Sequence, residues 1–241
     1  MRRASITTIW AAVSCLAASA GAIASADTHS ISSDTFDPLD RYGTEILFDV
    51  RRNGNSVGFH RVTFARDADG LAVTTRFEIK VDFLFFTAYR YSYQSKARWQ
   101  SDQLVSLDVQ VDDDGAEASL RALRGKDGLA VDRAETRHTI DQSIYPTNHW
   151  HPGVIGEVRV LNTLTGRVND VTIRPSGSEP VTTEVGNVMA TRYVYTGDLE
   201  NEVWYDNEGR WVKMRFLGRD GSTIEYVCRR CQGRDPRQAR Q

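Results

Sequence analysis

The stretch Leu71-Ala72-Val73-Thr74-Thr75-Arg76-Phe77-Glu78-Ile79-Lys80-Val81 alternates without a break. Leu71, Val73, Thr75, Phe77, Ile79 and Val81 fall on one side, and Ala72, Thr74, Arg76, Glu78 and Lys80 on the other. Period two with one polar face is the pattern of a half-buried antiparallel strand. Residues 85–99 repeat it with larger rings: Phe85, Tyr89, Tyr91, Tyr93 and Trp99 share a face opposite Arg90, Ser92, Gln94, Lys96 and Arg98.

Outward from these two strands, the chain is cut by Asn53-Gly54, Asp69-Gly70, Asp114-Gly115, Asp127-Gly128 and Asp220-Gly221. Such pairs accept the positive φ angles of tight hairpins, so consecutive strands are expected to be neighbours. About a dozen strands follow between residues 43 and 228, and no segment after Ala26 keeps a helical period over three turns. The chain is all-β. A strand such as 85–99, roughly 50 Å long at ~3.3 Å per residue, sits badly in a compact sandwich. A strongly curved antiparallel sheet or open β-barrel accommodates it, and the aromatic inner face favours an enclosed apolar volume.

Residues 137–156 interrupt the rhythm with Ile144, Tyr145-Pro146 and Asn148-His149-Trp150-His151-Pro152. Their apolar content wants burial, unlike a polar interdomain linker. A short helix or loop packed on the sheet is expected there, within a single domain at 42–228. Residues 27–41 are polar and irregular and read as a flexible leader, and 229–241 as a basic tail.

Of the 241 residues, 30 are basic and 32 acidic, so no global positive field exists to hold nucleic acid. Residues 1–26 read as an export signal: Arg2 and Arg3, an apolar run from Ile6 to Ile23, then Ala24-Ser25-Ala26 as the cleavage site. The alternative of a lipoprotein acylated at Cys15 is poorly matched by Ala12-Val13-Ser14. Cleavage after Ala26 leaves 215 residues, a net charge of −4 and two cysteines, Cys228 and Cys231. No later stretch approaches the ~18 apolar residues a membrane helix requires. The expected address is the periplasm.

The tail Val203-Trp204-Tyr205-Asp206, Gly209-Arg210-Trp211-Val212-Lys213-Met214, Asp220-Gly221-Ser222 and Ile224-Glu225-Tyr226 resembles a proteobacterial envelope family defined as a domain of unknown function. Asn162-Thr163-Leu164-Thr165-Gly166 and Tyr145-Pro146 with His149-Trp150 fit the same family, over roughly residues 42–228. Related envelope families are similar to the open β-barrels of periplasmic lipoprotein-localisation factors, which shield acyl chains in a concave face. The resemblance implies address and fold, and brings no functional residues with it.

Three groups carry chemistry. Phe83, Phe85, Phe86, Tyr89, Tyr91 and Tyr93, joined by Trp150, form a candidate surface for a lipid or other hydrophobic small molecule. The four large apolar residues at 83–86 cannot all face one side of a strand, and cover from a loop is the simpler fate for the surplus. His149 and His151, two apart on an extended chain, point the same way and offer two ligands to zinc or copper, without a third at a supporting spacing. Cys228 and Cys231 form a disulfide if the chain turns at Arg229-Arg230, because an extended strand holds their α-carbons too far apart. Redox catalysis would need a helix start that is missing.

No Gly-x-Ser-x-Gly elbow occurs, and no catalytic residue or cofactor is assigned. The leading expectation is therefore binding of a hydrophobic ligand in a concave aromatic face, without catalysis. Metal chemistry at His149 and His151 is one alternative. A structural envelope protein pairing with a protein partner through a strand edge is the other.

Overall fold

The computed structural model describes residues 36–83 and 86–233, with the backbone alone at 82, 83, 86 and 87. Residues 1–35, which include the expected export signal and most of the expected leader, Leu84, Phe85 and the residues beyond Gly233 lie outside the described residues.

A short helix, α1 (Pro38–Tyr42), precedes the sheet. The front strands are β1 (Glu45–Arg52), β2 (Asn55–Asp67), β3 (Gly70–Phe83), β4 (Phe86–Gln100) and β5 (Gln103–Asp113). They continue as β6 (Ala116–Gly125), β7 (Gly128–Arg133) and β8 (Thr136–Ile140). After β9 (Tyr145–Pro146) and a 3-10 turn at Pro152–Gly156 comes the rear set, β10 (Arg159–Leu161), β11 (Val168–Thr183) and β12 (Gly186–Gly197). It ends with β13 (Asn201–Asp206), β14 (Trp211–Leu217) and β15 (Thr223–Arg230).

Among the described residues, all fifteen strands belong to one sheet, in the order β8 back to β1, then β15 back to β9. Every pairing is antiparallel except β9 with β10, so the expected all-β curved sheet is what forms. The two edges, β8 and β9, are not paired with one another, so the barrel is open. Alternation sets the inner face. Across β3 and β4 the partners are Leu71 with Trp99, Val73 with Ala97, Thr75 with Ser95, Phe77 with Tyr93, Ile79 with Tyr91 and Val81 with Tyr89.

Two local departures have clear causes. The β4–β5 turn uses Ser101 and Asp102 in the left-handed region instead of an Asx-Gly pair. The run Pro175-Ser176-Gly177, made of residues that often end a strand, does not split β11, because a bulge at Pro175–Ser178 absorbs Gly177 at φ +85°. A bulge bends a strand without ending it.

The domain also starts earlier and ends later than the sequence suggested. Residues 36–41, read as the end of a loose leader, are packed. Asp37 caps α1 by accepting from Leu39 N–H at 3.0 Å, Pro38 fits the first turn, and the Tyr42 ring stacks on Phe64 at 5.7 Å. At the other end Cys231 and Gln232 are buried.

One end of the barrel interior is solid. Tyr42, Phe64, Trp99, Trp150, Tyr205 and Trp211 fill it. Residues 148–151 thread through this core, and tyrosine hydroxyls satisfy their backbone. Tyr42 Oη donates to Trp150 O at 3.0 Å and accepts from Trp211 N–H at 2.7 Å. Tyr205 Oη donates to His149 O at 2.8 Å. Removing the first hydroxyl strands two buried backbone groups. Tyr42→Phe is therefore expected to lower the unfolding free energy by about 1–3 kcal/mol, read as a shift in the urea midpoint. An unchanged midpoint would show that these groups find other partners.

Candidate functional site

Above the solid end the same inner face stays open and borders a cavity of about 670 Å³, within the size range of small-molecule sites. Its walls come from several strands because the sheet curves. β3 gives Phe77, Ile79 and Val81, β4 gives Tyr89, Tyr91 and Tyr93, and β14 and β15 give Met214, Phe216, Ile224 and Tyr226. The alternation that placed these residues on one face is what aims them inward.

The charged lining residues lie toward solvent. Arg52 pairs with Asp220, and Asp113 accepts from Tyr89 Oη at 2.7 Å while Arg219 approaches it at 3.6 Å. Glu200 and Arg219 are exposed. The deepest lining residues are polar but carry no fixed charge: His60, Thr75, Asn148 and Thr163 are all buried there. His60 stands in an aromatic box of Phe48, Phe77, Trp211 and Tyr226, with ring centroids 5.1 to 6.3 Å away. Burial, with a small contribution from His149, pushes its pKa down to about 3. Burial likewise pushes His149 down to about 4. Both rings are neutral at neutral pH. Burial also raises the Tyr91 hydroxyl to about 12.

The sequence-derived candidates divide. Tyr89, Tyr91 and Tyr93 line the cavity. Phe83 and Phe86 are partners across the β3–β4 hairpin, with their side chains outside the description, and Phe85 lies outside the described residues. Trp150 does not line the cavity. It is 2% exposed and packs edge-on against Trp99 and Phe64, because the 148–151 segment enters the core instead of lying on the sheet.

The premise for a two-imidazole chelate also changes. His149 has φ +57°, so the chain there is not extended. Its ring meets Tyr195 and Trp211, while His151 meets Trp99, Tyr145 and Phe36. His151 accepts from Gly153 N–H through Nδ1 at 3.0 Å, capping the 3-10 turn, and lies 3.7 Å from Asp102. Burial lowers it to about 4 despite that carboxylate. Among the described residues, the grouping of three donor side chains found is Glu184 with Cys228 and Cys231. The two cysteines are joined in a disulfide with Cα atoms 5.9 Å apart, as the chain turns after Arg230. Glu184 accepts from the backbone N–H groups of Cys231 and Gln232 at 2.8 and 2.7 Å, fixing that turn.

His60, Thr75 and Asn148 were not singled out from sequence. The usable signal was polarity at an apolar position: His60 precedes Val62 and Phe64 on one face, and Thr75 sits between Val73 and Phe77.

Residues 48–229 match a domain of unknown function, DUF6134. The chain belongs to this family. The DUF6134 domain thus spans β1 to β15 and contains every wall of the cavity. Its fold is similar to the crystal structure of a beta-barrel-like protein of domain of unknown function DUF1849 from Brucella abortus. The TM-score is 0.55 at 14% identity, covering 79% of this chain and 97% of that one. At such identity the likeness concerns the fold. No curated protein matches the DUF6134 chain.

Proposed function

We propose that this chain is an exported periplasmic protein that binds a hydrophobic or lipid-like molecule in the cavity of its curved sheet, without catalysis. The observation that carries the reading is the cavity itself: about 670 Å³, walled by Phe77, Ile79, Tyr91, Phe216 and Ile224. Apolar surface held open at that size is what a small-molecule site needs, with a few polar groups to fix orientation. The N-terminal sequence pattern and the Cys228–Cys231 bridge support an oxidising compartment outside the cytoplasm.

Native mass spectrometry on protein purified from its own cell envelope tests this. The expected result is a mass excess that is released in organic solvent as an apolar small molecule. Ile79→Glu, which puts a charge into the wall, is expected to abolish that excess while the far-UV spectrum keeps its β signature. A protein of bare polypeptide mass that also fails to take up long-chain alcohols or hydrocarbons overturns the proposal.

A further inference from the structure

The cavity floor holds more hydrogen-bonding capacity than the protein uses. Both ring nitrogens of His60, Thr75 Oγ1, Tyr93 Oη and Asn148 Nδ2 are shielded from water and have no hydrogen-bond partner among the described residues. All four side chains line the cavity. Tyr93 Oη is near the Ser95 and Thr163 hydroxyls without a well-formed bond to either. Buried polar groups are nearly always paired, so four neighbours left over at one place need an explanation.

Their position in the register gives one. Thr75 and Ser95 face each other one step deeper than Phe77 and Tyr93, and His60 is level with Phe77 on the next strand. Below them Val73, Ala97, Leu71 and Trp99 belong to the solid core. Above them Ile79, Tyr91, Val81 and Tyr89 lead to the mouth. The polar groups therefore form a band at the bottom of an apolar shaft.

Resting on the ligand-binding reading above, we propose that the cavity takes an amphiphile head first. An uncharged hydrogen-bonding head sits among His60, Thr75, Tyr93 and Asn148 once these side chains turn their polar atoms toward it, with the apolar body against the walls above. A tail pushed to the bottom would leave all four groups unpaired in a still drier site, with the desolvation penalty unrelieved. A hydroxyl head both donates and accepts. The floor answers in kind, since neutral imidazole and hydroxyls each offer a donor and an acceptor and the amide nitrogen offers donors.

Among the described residues a charged head finds no counter-charge there. At the mouth Arg52 pairs with Asp220 and Arg219 with Asp113, and the fifth charged lining residue, Glu200, is exposed to solvent. Burial that holds His60 near 3 and His149 near 4 keeps the floor neutral at pH 8.

The test uses the purified chain and four ten-carbon probes at pH 8: 1-decanol, decanoate, decyltrimethylammonium and decane, each displacing the dye 1-aminoanthracene. The expected order places 1-decanol about tenfold tighter than the two ions and decane. Thr75→Val and Asn148→Leu are each expected to weaken 1-decanol about 3- to 10-fold while leaving decane unchanged. His60→Phe should do the same, and Thr75→Val, which exchanges one hydroxyl for a methyl, keeps the test open if that variant does not fold.

If decane or either ion binds as tightly as 1-decanol, or if the floor variants leave 1-decanol unaffected, head-first binding is wrong while the hydrophobic site stands. If neither the dye nor any probe binds, the ligand-binding reading falls and takes this inference with it.

Discussion

Trp150→Ala is expected to remove about 3–5 kcal/mol of unfolding free energy, enough to unfold a domain of ordinary stability near its working temperature. The indole is 2% exposed and packs 5.3 Å from Trp99 and 5.4 Å from Phe64, centroid to centroid. It also neighbours the His151 ring at 5.2 Å. Truncation opens a void between elements that are distant in sequence, and threaded backbone hydrogen-bonded by Tyr42 and Tyr205 cannot collapse into it. Trp150→Phe keeps part of the ring volume and should lose clearly less. Urea unfolding followed by circular dichroism checks both. A loss below about 1 kcal/mol for the alanine variant would mean that the ring is not part of the core.

Acid is expected to destabilise the fold well above the range where carboxylates titrate. His60, His149 and His151 have pKa values pushed to about 3, 4 and 4, mainly by burial, whereas in the unfolded chain they titrate near ~6.5. Between these limits the unfolded state binds more protons than the folded one, so stability rises with pH. The full contribution is present above about pH 6.5 and is lost as pH falls toward about 4. Each enclosed imidazole contributes a slope of about 1 kcal/mol per pH unit in that window. His60 and His149 together therefore account for a loss on the order of 4 kcal/mol across two units, a large share of a typical 5–15 kcal/mol total. Urea midpoints measured from pH 7.5 to 4.5 test it. A flat profile down to pH 4.5 would show that these rings gain protons in the folded state without cost.

The strands were legible because their period survives in single residues: 71–81 and 85–99 show which side chains point inward, and β3 and β4 obey them. Asx-Gly hairpins were equally plain. The Ser101-Asp102 turn was not, since residues that merely tolerate positive φ carry a weaker mark than glycine. Trp150 and the histidines beside it misled for a related reason. The side-chain direction of an irregular segment depends on backbone angles such as φ +57° at His149, and no periodicity reports those. The cavity floor was half legible. Thr75 and His60 stand at inward positions in the alternation, but only the fold shows that they line one cavity with Asn148 from a different element.

The strand order has a consequence for how the site comes into being. Except for β1 with β15, every antiparallel ladder joins strands consecutive in the chain, so each half can zip up through local hairpins at small loop-closure cost. The exception links Phe48 to Cys228 across almost the whole domain. His60, Thr75 and Tyr93 lie on the front half and Met214, Phe216 and Tyr226 on the rear, so neither half owns a cavity. It exists only once that one distant seam has closed. A molecule lodged there touches both halves at once and acts as a clasp on the seam, drawing the last step of assembly toward completion by mass action.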